Sequence, residues 1–164
     1  MACGEASRPG GGGLGLHGHG LRDRQVCGPL DADGPPTWVV IACRRYLCVA
    51  CDSIVTVVPR GVAPRRHYGH AAIAMALALW VIIGEPVGEV RRRVCAWRIT
   101  HEAGQRWPTL RRWASAARAA LADAGLTLEA AAARAAQVAI GRAPPEARQG
   151  PRWAQAFAGG SVMP

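Results

Sequence analysis

The residues best suited to chemistry are cysteines. Cys48 and Cys51 form a Cys-x-x-Cys pair within Cys43-Arg44-Arg45-Tyr46-Leu47-Cys48-Val49-Ala50-Cys51. Two thiolates so spaced at a tight turn can grip one tetrahedral metal ion from the same side, and such a turn is one half of a zinc ribbon. A redox Cys-x-x-Cys belongs at the start of a helix. Here a strand is expected on each side. Thr37 to Cys43 is rich in β-branched residues, and Asp52 to Pro59 alternates and then stops at proline. Cys3-Gly4 looks like the end of a second knuckle, whose first Cys would sit one residue before Met1. Cys3, Cys48 and Cys51 are therefore the predicted Zn2+ ligands. The fourth is either absent or one of His17, His19, Cys27 and Cys43. Cys43 also reads as a strand residue, and Cys95 as a buried thiol.

The second chemical signal is arginine. The chain of 164 residues has a formal charge of +9, and its 20 basic residues are all arginine. A GC-rich coding sequence accounts equally well for arginine over lysine, but not for the clustering. Between Arg60 and Arg118 eleven Arg face only three Glu (Glu85, Glu89 and Glu102), an excess that points to a polyanionic partner. The guanidinium fork suits phosphates and guanine edges.

Helices must position those arginines. Tyr68 to Ile83 has no polar face and predicts a core helix ended by Gly84. Its longest apolar run is 13 residues, short of the roughly 20 that span a membrane. Pro86 fits the first turn of a short second helix to about Val94, with Val87, Val90 and Val94 on one side and Arg91, Arg92 and Arg93 near its end. A third runs from near Pro108 to about Asp123. Leu110, Trp113, Ala114, Ala117 and Leu121 form its apolar stripe, and Arg111, Ser115 and Arg118 lie on another, with Arg112 beside them. An alanine-rich fourth helix is expected over 126–140, followed by a flexible tail from Gly141. Residues 1–36, rich in Gly and Pro, read as mostly irregular, with a short strand near 14–20.

The three helices have the lengths of a helix-turn-helix unit with the last as recognition helix. On this reading Arg65, Arg66, Arg91, Arg92 and Arg93 neutralise phosphates of double-stranded DNA, while Arg111 and Arg112 approach base edges. The competing reading is a protein-interaction or structural module, in which the apolar helix 68–83 packs a partner and the arginine face is only solvated. Catalysis finds little support: no spaced carboxylate set for metal catalysis sits on strands, and no Ser, His and acid grouping can be drawn convincingly. The run Gly10 to Gly13 lacks the Lys-Ser/Thr of a phosphate-binding loop. The start, MACGEASRPGGGG, has no apolar core segment, so no secretory signal is expected. The six Cys then read as metal ligands or buried thiols in a reducing cytoplasm. The predicted fold is α+β: a zinc-ribbon-like β domain over 1–59, a helix-turn-helix-like domain over 60–123, and an alanine-rich helix with tail over 124–164.

Several short motifs occur in a fixed order. Cys3-Gly4 and His17-Gly18-His19-Gly20-Leu21-Arg22 come first, then Arg44 to Cys51, Thr56-Val57-Val58-Pro59 and Pro64-Arg65-Arg66-His67-Tyr68. Glu89-Val90-Arg91 and Thr109-Leu110-Arg111-Arg112-Trp113 close the series. In this order the chain resembles bacterial domain-of-unknown-function proteins that match the N-terminal zinc-ribbon and helix-turn-helix region of insertion-sequence transposases. The resemblance covers about residues 1–122 and departs from the pattern at the first Cys. It implies zinc at Cys3, Cys48 and Cys51 and DNA binding by the helices. The 42 residues after 122 leave no room for a ribonuclease-H-like catalytic domain. A non-catalytic DNA-binding fragment or mobile-element accessory protein is therefore expected, in the cytoplasm and associated with the nucleoid.

Overall fold

The computed structural model describes residues 13–63, 67–97 and 107–162. Cys3, Arg65 and Arg66 lie outside them. The chain is α+β, with a three-stranded antiparallel sheet and five α-helices among the described residues. It divides into a β unit, Met1–Gln25 with Val40–Pro59, and a helical unit, Val26–Val39 with Arg60–Pro164.

The sheet has the order β1 (Leu16–Gly28), β2 (Thr37–Cys48), β3 (Ile54–Val57). β1 is far longer than the short strand expected near 14–20, and it replaces much of the irregular segment. Glycines and charged side chains give Leu16–Gly28 little intrinsic strand preference, and pairing with the β-branched β2 overrides it. β2 and β3 pair antiparallel with Arg44 opposite Val57 and Leu47 opposite Ile54.

In the helical unit α1 (His70–Ala78) buries Ala72 and the whole run from Ala74 to Ala78, as its lack of a polar face requires. It widens into a π turn over Leu79–Ile83 and stops at Gly84, whose φ of 85° is a left-handed conformation that costs glycine little. Pro86 caps α2 (Val87–Val94). Glu89 in its first turn and arginines in its last both suit the helix dipole. α3 (Pro108–Ala120) begins with proline in its first turn, and α4 (Leu128–Gly141) is capped by Thr127, whose Oγ1 accepts from the Ala130 N–H.

The expected flexible tail is instead a core element. A 3-10 turn at Pro145–Ala147 leads into α5 (Arg152–Ser161), which packs most extensively on α1 and next on α4. Gln155 fastens its start by donating to the carbonyls of Arg148 and Gly150. The contact surfaces are made of small residues: Ala131, Ala132, Ala136 and Ala139 of α4 and Ala156, Gly159 and Gly160 of α5 are all buried. A Cβ on Gly159 would overlap the Ala139 carbonyl, and one on Gly160 would lie 2.8 Å from the Ala71 Cα. Backbone therefore meets backbone at this seam, and only glycine fits.

Candidate metal half-site and arginine face

β2 ends on Cys48 and β3 begins at Ile54, so the Cys-x-x-Cys pair lies in the turn of a hairpin. The Cys48 N–H donates to the Ser53 carbonyl and the Asp52 N–H to that of Cys48, each at 2.9 Å. Asp52 takes a φ of 53°, which lets the chain reverse directly after Cys51. Val49 N–H donates to the Gly15 carbonyl and anchors the turn. Cys48 is buried and Cys51 partly exposed.

Two thiols in one hairpin turn supply at most half of a tetrahedral donor set. Among the described residues no group of three His, Cys, Asp or Glu side chains could hold a metal ion. His17 and His19 lie exposed on β1. Cys43 is buried on β2, an odd number of residues from Cys48 and so on the opposite face of the strand. Cys27 is engaged inside the helical unit, where its sulfur is hydrogen-bonded to the backbone of Val94 and Ala96.

Among the described residues the predicted arginines fall into two groups, on α3 and on α2. Arg111 and Arg112 are exposed on α3, with Leu110, Trp113 and Ala114 buried behind them. That buried stripe rests on an aromatic cluster. Tyr68 meets Trp113 edge-on at 4.9 Å between ring centroids, and Trp107 meets Trp113 at 5.1 Å. Arg111 and Glu129 both line an apolar cavity of about 680 Å³, together with Trp80, Trp107 and Leu110.

The α2 arginines are more committed than their sequence suggests. Arg91 is only 7% exposed and donates to the Trp97 carbonyl at 3.0 Å. Arg93 pairs with Glu85 at 3.1 Å and stacks on Trp153 of α5, 4.0 Å from the ring centroid. Arg92 is exposed and paired with Glu89 one turn earlier. A signal for Arg91 was present: it lies four residues after Val87 and three before Val94, so the helical period puts it on the apolar stripe.

One group of reactive side chains has no sequence signature. Cys27, at the end of β1, donates to the Val94 carbonyl at 3.9 Å and accepts from the Ala96 N–H at 3.4 Å. Those residues flank Cys95, whose sulfur accepts from the Tyr68 hydroxyl at 3.1 Å. The Cys27 thiol beside it holds the Cys95 thiol down to about 5, helped by the Tyr68 hydroxyl and the Arg91 charge and opposed by burial. Cys27 and Tyr68 move up, Cys27 chiefly through Cys95 and Tyr68 chiefly through burial.

No helix among the described residues is long and apolar enough to cross a membrane. No family model matches the chain, and comparison with curated proteins and with solved structures finds no match either.

Proposed function

We propose that this protein binds double-stranded DNA through the arginine face of α3, as a transposase-derived fragment or mobile-element accessory protein that does not itself catalyse. The observation that carries this reading is the two-sidedness of α3. Its apolar stripe is locked in the aromatic cluster, and the opposite side offers Arg111 and Arg112 to solvent. The helix would enter a groove as a recognition helix, with the two guanidinium groups near base edges. Arg65, Arg66 and Arg92 would neutralise phosphates. Arg91 is withdrawn from that set by its burial, and Arg93 by Glu85 and Trp153. The rival interaction-module reading needs a partner for the apolar α1, and α4 and α5 already cover that helix.

Duplex binding should weaken steeply with salt. With Arg65, Arg66 and Arg92 on phosphates, log K against log salt should fall with a slope of about −3, and of about −4 to −5 if Arg111 and Arg112 meet phosphates as well. Changing Arg111 and Arg112 together to Ala should flatten that slope by up to about 2 if both meet phosphates. If either is bidentate to guanine, about 1–3 kcal/mol of discrimination is lost at one position of a selected site. Selection from random duplexes followed by salt titration measures both effects. A chain that shows no salt-sensitive retention of duplex at low ionic strength does not have this function.

The same proposal places Zn2+ at Cys48 and Cys51, joined by Cys3. Bound there, zinc would staple the hairpin turn to the preceding chain. The purified protein should then carry close to one equivalent by elemental analysis. Cys48→Ser should release it and loosen the β unit, because metal binding and folding of so small a site are one equilibrium. Metal-free wild type whose β unit folds identically in the variant would end the zinc assignment.

A further inference from the structure

We infer that Cys95 is a site of oxidation by hydroperoxides and that Cys27 resolves it to an internal disulfide. The geometry supporting this lies wholly within the helical unit and is independent of the DNA and zinc readings. The hydrogen bonds of the Cys27 sulfur, to Val94 and from Ala96, place it against the backbone of Cys95 from both sides. Its own backbone is fixed, since the Cys27 N–H donates to the His67 carbonyl and Cys27 is bridged to Tyr68. Tyr68 in turn donates its hydroxyl to the Cys95 sulfur. The groups facing Cys95 thus come from three elements: Cys27 of β1, Tyr68 ahead of α1, and Arg91 of α2.

Each of these favours a thiolate at Cys95. The Tyr68 hydroxyl donates to its sulfur, the Cys27 thiol lies beside it and Arg91 supplies a positive charge, and together they lower the pKa of Cys95 against the burial that raises it. Cys95 is 5% exposed, but it is the residue that ends α2. Fraying of that last turn, held by the Cys95 N–H on the Arg91 carbonyl at 2.8 Å, would admit a small peroxide.

The chemistry balances with the peroxide as oxidant. The Cys95 thiolate attacks one peroxide oxygen, the S–O bond forms as the O–O bond breaks, and the leaving oxyanion takes a proton from solvent. Cys27 sulfur then attacks the sulfenic sulfur, forming the S–S bond and expelling hydroxide, which takes up the proton Cys27 gives up. Two thiols and one hydroperoxide become one disulfide, one alcohol (or water) and one water.

The test treats the reduced full-length chain with hydrogen peroxide, blocks remaining thiols, and maps the digest by mass spectrometry. The expected product has lost two hydrogens and carries a Cys27–Cys95 link that dithiothreitol reverses. Fragmentation is needed because Cys27 and Cys43 share one tryptic peptide. In Cys27→Ser the reaction should stop at a sulfenic acid on Cys95 that dimedone traps. The oxidation rate of wild type should change by less than about twofold from about pH 6 to about pH 8, where an ordinary thiol gains on the order of 100-fold. Tyr68→Phe keeps the ring and removes only the hydroxyl, and it should move the midpoint of that rate profile upward. Absence of the Cys27–Cys95 peptide from folded, peroxide-treated wild type overturns the inference, and so does a Cys95 rate that rises with pH as for an ordinary thiol.

Discussion

Gly159→Ala will destabilise the helical unit, although helix propensity alone predicts the opposite. In a solvent-exposed helix interior, Gly→Ala adds roughly 0.5–1 kcal/mol of stability through backbone entropy. At Gly159 the new methyl would overlap the Ala139 carbonyl of α4 and lie 3.0 Å from the Ala143 nitrogen. Backbone atoms in a packed helix cannot swing aside as a side chain can, so α5 must lift from the seam. Overpacking of this kind typically costs about 1–3 kcal/mol, occasionally more, and that outweighs the propensity gain. Gly141→Ala is the control: it lies at the exposed end of α4 with nothing within 4 Å of the added carbon. Urea denaturation of the two variants should therefore give midpoint shifts of opposite sign, or no shift for Gly141→Ala. A stabilised Gly159→Ala would mean that α5 does not pack as described.

The second large effect is expected at Trp113. Its ring lies edge-on to both Tyr68 and Trp107, and it is 3% exposed. Truncation to Ala removes the contact of α3 with the segment leading into α1 and leaves a cavity that fixed backbone cannot fill. The loss should be about 3–5 kcal/mol, a large share of the roughly 5–15 kcal/mol that holds a small domain folded. Trp113→Phe restores much of the volume and should recover more than half of the loss. Duplex retention should track this series through stability, so both variants are to be compared at a temperature where circular dichroism shows them folded. Retention by a folded Trp113→Ala equal to that of wild type would separate the arginine face from its aromatic support.

What was legible from sequence was local and periodic. The hairpin around Cys48 and Cys51 followed from β-branched residues on either side of a tight turn, and α1 from an apolar run with no polar face. The stripe Leu110, Trp113 and Ala114 gave α3 its buried side. What escaped depends on pieces far apart in the chain. β1 is extended because β2 pairs with it, against the preference of its own glycines. In α5 the pair Gly159-Gly160 reads as a helix breaker by propensity, yet close approach to α4 and α1 is the reason glycine is there. Cys27 and Cys95 became neighbours only through the fold. Arg91 is a different case: its positive charge suggests a phosphate contact, while the helical period places it among the valines, where it is buried.

The partnership of α1 with α5 also sets a timetable for synthesis. Roughly 80 residues separate the end of one from the end of the other. At about 5–20 residues per second the ribosome needs on the order of 4–16 s to supply the second after the first. During that interval the side of α1 that α5 covers lacks its permanent partner. Chaperones that recognise exposed apolar helix have their longest opportunity there, and codons slow to translate between 79 and 161 would lengthen it.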